Sequence, residues 1–255
     1  MAFENGVWIM RGRARDDPAR ADTWQALTER IEETGFLPFF ANEVEGFSAE
    51  EQVSSRDWWT DDPDRDPWLW RERIAAGGRV AYGKFFDKKA GFISLDWLPF
   101  FANFRRDGYD FDARWAEGLA NRREKAIMDF YLGEDDEGEL IYRDPNIMST
   151  DLKQLAGFGP GGEKNFPGIL TNLQMQTYLV ISGFRRRESK RGRSYGMPVS
   201  VPLPPEAIWG PALVRGAYSE SPADSRERIM EQVRRLYPGA SAQAVTRLIG
   251  KAPDP

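Results

Sequence analysis

Three aspartates in one short stretch have the residue type and spacing to hold a metal ion or to orient a water molecule. They are Asp107, Asp110 and Asp112 in RRDGYDFDARW (105–115). Carboxylate oxygens are preferred ligands of hard cations, and a carboxylate can also act as a general base. Aspartate is equally common in turns and at helix starts, where its side chain accepts hydrogen bonds from backbone N–H groups. The structural interpretation is favoured, and neither a metal nor another cofactor is predicted.

Two other motifs resemble ligand-binding loops but lack a required residue. Asp62, Asp64 and Asp66 have the spacing of a calcium loop, yet Pro67 stands where that loop needs glycine. The stretch GFGPGG (157–162) matches the glycine pattern of a dinucleotide loop, but a polar helix and not a strand is predicted before it. We therefore interpret the first motif as a helix start and the second as a turn.

The chain of 255 residues contains neither histidine nor cysteine. This absence excludes disulfides, thiolate nucleophiles, imidazole bases and zinc sites of the Cys/His type. It also excludes Ser-His-Asp triads and haem ligation by His or Cys. Any catalysis would depend on the remaining polar residues, chiefly carboxylates and amides.

The composition is that of a globular protein, with 41% apolar and 13% aromatic residues. No run of eighteen apolar residues is present, and the first residues do not form the apolar segment of a signal peptide. The sequence therefore predicts a cytoplasmic protein that is neither exported nor associated with a membrane.

A dense group of basic residues lies in GFRRRESKRGRSYG (183–196), where Glu188 is the one acidic residue. Such a run is often only a solvated face. Clustered Lys and Arg are also the electrostatic signature of a site for a polyanion such as nucleic acid. The basic residues are Arg185, Arg186, Arg187, Lys190, Arg191 and Arg193.

The distribution of charge along the chain favours the second interpretation. Residues 149–203 contain eight basic and three acidic residues, a net charge of +5, whereas the whole chain carries −5 and the remainder therefore −10. Because the Debye length is about 8 Å at physiological salt, an acidic protein can still bind a polyanion locally.

The elements of the N-terminal half are predicted from helix caps and hydrophobic spacing. Asp22, Ser48 and Asp66 are predicted to cap three helices. FLPFF (36–40) is predicted to be an extended edge segment, and residues 79–94 a β-hairpin. Two further helices are predicted over 94–106 and 112–133.

The acidic stretch EDDEGE (134–139) is predicted to be a loop tip or linker. It divides an aromatic-rich helical region, 1–133, from a second region, 140–255. The second region ends in a helix pair that begins near Ser221 and Ser241.

The order of elements in the second region is that of a winged helix. A short helix over 149–156, the GFGPGG turn and a helix over 163–174 precede two strands, 177–184 and 195–201. The basic stretch lies between those strands, where the wing of a winged helix lies, and the helix before it would read the ligand. The predicted fold is mixed α/β and helix-rich, with this winged-helix module.

Long segments of the sequence resemble a bacterial family described as AlkZ-related. The resemblance rests on residues 58–94, on FANFRRDGYDFDARW (101–115) and on LAGFGPGGEKNFPGILTNLQMQTYLVISGFRRR (155–187). AlkZ-type enzymes are DNA glycosylases built from tandem winged helices that excise alkylated bases with a Gln-x-Gln or Gln-x-Asp motif. The resemblance thus implies winged helices, double-stranded DNA as the partner and a link to repair of alkylated DNA.

The motif implied by this resemblance occurs once in the resembling segments, as Gln174, Met175 and Gln176. Two amides at positions i and i+2 of an extended segment share one side and could orient a water toward a sugar carbon. The motif lies late in the chain, whereas the AlkZ motif lies near the N-terminus of a longer enzyme. Two polar residues on an exposed strand face are the favoured alternative.

Three functions remain open from the sequence. The preferred one is a DNA-binding winged-helix protein, the second an active DNA glycosylase that uses Gln174 and Gln176, and the third a protein-interaction module that does not bind nucleic acid. The residues predicted to bind nucleic acid are Lys164, Asn165, Arg185, Arg186, Arg187, Lys190, Arg191, Arg193 and Tyr195.

Overall fold

A computed structural model describes residues 2–189 and 191–251 of the chain. Its helices are α1 (Trp24–Thr34), α2 (Ala49–Gln52), α3 (Pro67–Ala76), α4 (Leu98–Arg106), α5 (Phe111–Ala116), α6 (Arg122–Met128), α7 (Ser149–Leu155), α8 (Phe166–Met175), α9 (Pro205–Trp209), α10 (Pro211–Val214), α11 (Pro222–Leu236) and α12 (Ala242–Ile249). Its strands are β1 (Ala2–Glu4), β2 (Val7–Ile9), β3 (Phe36–Pro38), β4 (Val80–Phe86), β5 (Lys89–Ser94), β6 (Leu132–Glu134), β7 (Leu140–Tyr142), β8 (Val180–Glu188) and β9 (Ser194–Leu203).

The described strands form small antiparallel sheets, and the fold is the predicted mixture of helices and strands. One sheet has three strands in the order β3-β5-β4, and β1-β2, β6-β7 and β8-β9 are two-stranded. The hairpin predicted over 79–94 is confirmed as β4 and β5. The FLPFF segment contributes β3 at the sheet edge, where Pro38 removes no hydrogen bond from a central ladder.

Side-chain caps lie at half of the helix starts in the described part of the chain. Ser48 Oγ accepts from the N–H of Glu51, and Asp66 accepts from the N–H of Trp68, so both predicted caps are confirmed. The predicted cap of α1 is wrong by one residue. Thr23, and not Asp22, adjoins the first helical residue, and its Oγ1 accepts from the N–H of Ala26 at 3.1 Å.

The single helix predicted over 112–133 is wrong, because the chain forms two shorter helices there. After α5, Gly118 adopts a left-handed conformation with φ +71°, which a helix cannot continue through. Asn121 then accepts from the N–H groups of Arg123 and Glu124, while Glu124 accepts from the N–H of Asn121. This capping box starts α6 as a separate helix.

Buried apolar side chains form two clusters. The first lies between α1, the three-stranded sheet, α4 and the helices α11 and α12, and it includes Val180 and Ile181 of β8. The second lies between α5, α6, α7 and α8 and includes Leu203 of β9. The β8–β9 hairpin therefore has its base in both clusters. The acidic stretch 134–139 forms the turn between β6 and β7, and the division into regions 1–133 and 140–255 stays a prediction.

The helices α11 and α12 pack back onto the N-terminal elements. Gln232 of α11 donates to the carbonyl oxygen of Thr34 at the end of α1, 2.8 Å away. Arg105 of α4 donates to the carbonyl oxygens of Phe85 at 2.6 Å, Met175 at 3.2 Å and Ile249 at 3.2 Å. Burial lowers the pKa of Arg105, but the carbonyl ends of α8 and α12 favour its positive charge. Arg105 thus joins β4, α8 and α12 at one point.

None of the helices in the described part of the chain has both the length and the apolar character that crossing a membrane requires.

Candidate nucleic-acid interface

The β8–β9 hairpin carries most of the residues that the sequence predicts to bind nucleic acid. Val180, Ile181, Val201 and Leu203 at its base are buried. From Arg185 to the turn and back to Met197, the described residues are exposed. This half stays exposed because burying unpaired guanidinium groups is costly. The hairpin therefore projects its basic half away from the core.

No carboxylate oxygen of the described residues lies within 4.0 Å of a guanidinium nitrogen of the arginines in this exposed half. Arg185 Nη1 donates to the carbonyl oxygen and the Oδ1 of Asn146, at 3.0 and 3.1 Å. Arg186 Nη1 donates to the carbonyl oxygen of Gly196 at 3.0 Å. These contacts orient two guanidinium groups without neutralising them. Lys190 lies outside the described residues.

A bulge changes the register in the middle of this exposed half. Arg185 pairs with Val199 and Arg187 with Tyr195, so residues 196–198 lie opposite Arg186 alone. Gly196 takes a φ of +74° in the bulge, as a glycine can without strain. Next to it, Met197 is 72% exposed and Tyr195 is 52% exposed. The sequence analysis named Tyr195 but not Met197, whose Gly-Met-Pro context is the signal for a bulge.

Helix α8, which the sequence analysis assigned as the reading helix, has only a narrow exposed surface. Lys164 and Asn165 at its start are exposed. Pro167 and Asn172 are the exposed residues within the helix, and most of the others are buried, including Ile169, Leu170 and Leu173. A ligand can therefore reach the start of α8 more easily than the rest of the helix.

The two glutamines of the Gln-x-Gln motif are not arranged as expected, because they do not lie on an extended segment. Gln174 is in α8 and Gln176 is the residue that ends it. Residues two apart on a helix point about 200° apart, so their amides do not share one side. Gln174 is 4% exposed. Its Oε1 accepts from the N–H of Lys84 at 3.0 Å, and its Nε2 donates to the carbonyl oxygen of Leu170 at 3.2 Å.

The side chain of Gln176 has one weak partner. Its Nε2 lies 3.4 Å from Glu124 Oε1, and its buried Oε1 has no donor among the described residues. The catalytic role of both glutamines stays a hypothesis that activity measurements have to test.

Of the three aspartates at 107–112, Asp110 has side-chain partners among the described residues, and Asp107 has a structural position at a helix end. Asp107 ends α4 in a left-handed conformation. Asp110 Oδ2 pairs with Arg215 Nη2 at 2.6 Å, and its Oδ1 lies 3.8 Å from the buried guanidinium of Arg106. Arg106 also pairs with the buried carboxylate of Glu206. No group of three acidic side chains in the described ranges could hold a metal ion.

A large concave surface lies elsewhere and was not foreseen from the sequence. It is an open cleft of about 1390 Å³ between the segments 10–13 and 40–51 and helix α12. Its walls mix cations, such as Arg11 and Lys89, with carboxylates, such as Glu43 and Glu45. Glu43 pairs with Arg247 across the cleft. Because charges of both signs are interspersed there, the cleft is a weaker candidate for a polyanion than the hairpin.

Comparison with known proteins identifies a family that the sequence matches. A family model described as AlkZ related matches residues 21–250, which is most of the chain. No curated protein matches, and no solved structure does so either.

Proposed function

The chain belongs to the AlkZ-related family, and from this membership together with the exposed, unpaired arginines of the β8–β9 hairpin we propose that it binds double-stranded DNA. The observation that carries the proposal is the absence of carboxylate partners for Arg185, Arg186, Arg187, Arg191 and Arg193 among the described residues. An exposed cation without a carboxylate partner has no ion pair to break, so replacing its water by phosphate oxygens costs little free energy.

The dimensions of the hairpin suit the charge spacing of a duplex. Four strand residues, Arg185 to Glu188, extend about 13 Å at roughly 3.3 Å per residue. B-DNA carries one phosphate per about 1.7 Å of its axis, so several phosphates lie within reach of this strand and its partner. Three to five contacts would give a slope of log K against log salt of roughly −3 to −4.5.

In this proposal, α7, α8 and the hairpin act as a winged-helix-like module in which the hairpin is the wing. Lys164 and Asn165 at the exposed start of α8 would add contacts to the sugar-phosphate backbone. Contacts of this kind position a protein on DNA without reading its sequence. Tyr195 and Met197, exposed beside the bulge, would lie against the sugars or bases of a groove.

The test is a binding titration of a fluorescent duplex at several salt concentrations, followed by anisotropy. We expect the quadruple variant Arg185→Ala, Arg186→Ala, Arg187→Ala, Arg191→Ala to bind at least about tenfold more weakly and to have a slope smaller by about 2 to 4. The matched control removes four exposed arginines from elsewhere, Arg73, Arg79, Arg228 and Arg234. This control changes the net charge equally and should bind nearly as the unchanged protein does.

Equal losses in the two quadruple variants would mean that total charge and not the hairpin governs binding. Duplex binding that is absent at low salt would instead favour the interaction module that does not bind nucleic acid.

A further inference from the structure

A small, partly enclosed cavity lies between the segment after β2, the loop before α3 and α3 itself. Its volume is about 250 Å³, and its walls include Arg15, Arg20, Arg65, Ser54, Asp57 and Trp70. Three guanidinium groups thus border a space large enough for one small ligand.

A single buried carboxylate holds two of these arginines in place. Asp57 Oδ1 accepts from Arg15 Nε at 3.0 Å, from Arg15 Nη2 at 2.6 Å and from Arg65 Nη2 at 3.3 Å. The side chain of Asp57 is 8% exposed, whereas those of Arg15 and Arg65 are about half exposed. One negative charge therefore fixes two cations whose remaining N–H groups reach solvent.

The third arginine is held by a neutral group. Arg20 Nε donates to the carbonyl oxygen of Arg15 at 2.7 Å. Within the described ranges, neither Nη atom of Arg20 has an acceptor, although each guanidinium can donate five hydrogen bonds. The cavity walls contain two acidic residues, Asp22 and Asp57. The three arginines therefore leave a net charge of +1 there.

Two further polar groups lie in the walls. Ser54 is 3% exposed, and its Oγ accepts from the N–H of Arg56 at 3.3 Å, which leaves its proton to be donated. Trp70 is 2% exposed, and its indole N–H has no acceptor among the described residues. The cavity thus offers several donors beside the two carboxylates of Asp22 and Asp57.

We propose that this cavity binds a phosphate group, either free inorganic phosphate or the terminal phosphate of a larger molecule. Guanidinium groups bind phosphate oxygens through paired, charge-assisted hydrogen bonds. Arg20 and Arg65 approach from different parts of the chain, and a tetrahedral anion accepts from several directions at once. The site is separate from the hairpin and does not depend on the proposed function.

The test uses the full chain and inorganic phosphate, with sodium chloride at equal ionic strength as the reference. We expect phosphate to bind with a dissociation constant on the order of 1 mM and, at fifty times that concentration, to raise the thermal midpoint by about 4–8 °C. Indole N–H resonances of ¹⁵N-labelled protein report the place of binding, because Trp70→Phe identifies the signal of Trp70 among nine tryptophans. That signal should shift on titration.

Arg20→Gln and Arg65→Gln should each weaken phosphate binding at least about tenfold, since each removes one charged fork. Arg56→Gln is the matched control, because Arg56 is exposed and outside the cavity. Circular dichroism checks that each variant is folded. A phosphate effect that is absent, or that is equal in all three variants, would overturn the proposal.

A 5′-phosphorylated oligonucleotide and its unphosphorylated counterpart distinguish the sources of the phosphate. If only the phosphorylated strand displaces inorganic phosphate, the ligand is a terminal phosphate. If neither strand displaces it, the ligand is free phosphate. Both results support the site, whereas loss of duplex binding in the hairpin variants has no bearing on it.

Discussion

The side chain of Gln174 joins helix α8 to the edge of the three-stranded sheet. Strand β4 is at that edge, and the N–H of Lys84 meets Gln174 Oε1 where the pairing of β4 with β5 shifts its register. A backbone donor that the strand ladder cannot satisfy is thereby satisfied by a side chain 90 residues later. This role explains the burial of Gln174 without reference to catalysis.

We predict that Gln174→Ala lowers the free energy of unfolding by about 1–3 kcal/mol, because it leaves the partly buried N–H of Lys84 without its acceptor. Gln176→Ala, whose amide makes one contact at 3.4 Å, should cost less than about 1 kcal/mol. Urea unfolding measures both changes. The same variants, incubated with an alkylated duplex, test the glycosylase hypothesis.

Loss of abasic-site formation in a folded Gln176→Ala protein would support a catalytic role for the motif. If the unchanged protein forms no abasic sites, the glycosylase hypothesis is wrong.

The sequence alone could not reveal that Gln174 joins α8 to the edge of the three-stranded sheet. The pattern Gln-x-Gln is the same on a strand and at a helix end, and only the bounds of α8 decide which way each amide points. The basic stretch was easier to interpret, since a dense group of arginines cannot be buried without partners. Its exposure follows from composition, while the bulge that exposes Met197 depends on pairing with the other strand.

At the scale of elements, Asp66 holds the start of α3 and the loop before it. Its Oδ1 accepts from the N–H of Trp68 at 2.9 Å, and its Oδ2 accepts from those of Thr60 at 2.8 Å and Asp61 at 3.2 Å. Trp59 and Asp61 in that loop have positive φ angles, which most residues avoid. The cap therefore stabilises a loop as well as a helix.

We predict that Asp66→Ala lowers the free energy of unfolding by about 2–4 kcal/mol, more than the ~1 kcal/mol of an ordinary cap. Asp66→Asn should cost less, because the amide oxygen still accepts.

Burial raises the pKa of the Asp66 carboxyl above its usual value, so the folded state binds the proton more tightly than the unfolded state. The part of its contribution that comes from this tighter proton binding is fully present below the unfolded pKa and is lost as pH rises through the folded pKa, whereas the capping hydrogen bonds remain above it.

The advantage of Asp66 over Asp66→Asn should consequently grow as pH falls from 7 toward 4. Urea unfolding at several pH values measures it, and an advantage that shrinks on acidification would contradict the prediction.

The caps at Ser48, Asp66, Ser221 and Ser241 were predictable because a cap is a contact within four residues. The break between α5 and α6 was not, because a single glycine inside an apolar pattern is compatible with a continuous helix. The hairpin β6–β7 was also missed, since a charged turn resembles a solvated linker in sequence.

At the scale of the whole molecule, Arg105 connects the two apolar clusters. Phe85 and Ile249 belong to elements of the first cluster, and Met175 ends α8 of the second. Contacts of this kind join residues 20, 70 and 144 positions apart, so they cannot be inferred from local sequence patterns.

We predict that Arg105→Ala lowers the free energy of unfolding by about 2–4 kcal/mol, because three backbone carbonyls lose a charged donor. Arg228→Ala, at an exposed ion pair, should change it by less than about 1 kcal/mol. The measurement is thermal unfolding followed by both far-UV circular dichroism and tryptophan fluorescence. Transitions that coincide in the unchanged protein and separate in Arg105→Ala would show that this residue couples the clusters.

The return of α11 and α12 to the N-terminal elements also sets the order in which the protein can fold during translation. The carbonyl of Thr34 meets its donor, Gln232, 198 residues later. At about 5–20 residues per second, a ribosome needs roughly 10–40 s to make that length. Once β5 has been made, α1 and the three-stranded sheet expose apolar surface of the cluster that Ile229, Val233 and Leu248 later complete. The nascent chain is therefore most exposed to aggregation, and most dependent on chaperones, just before its last helices emerge.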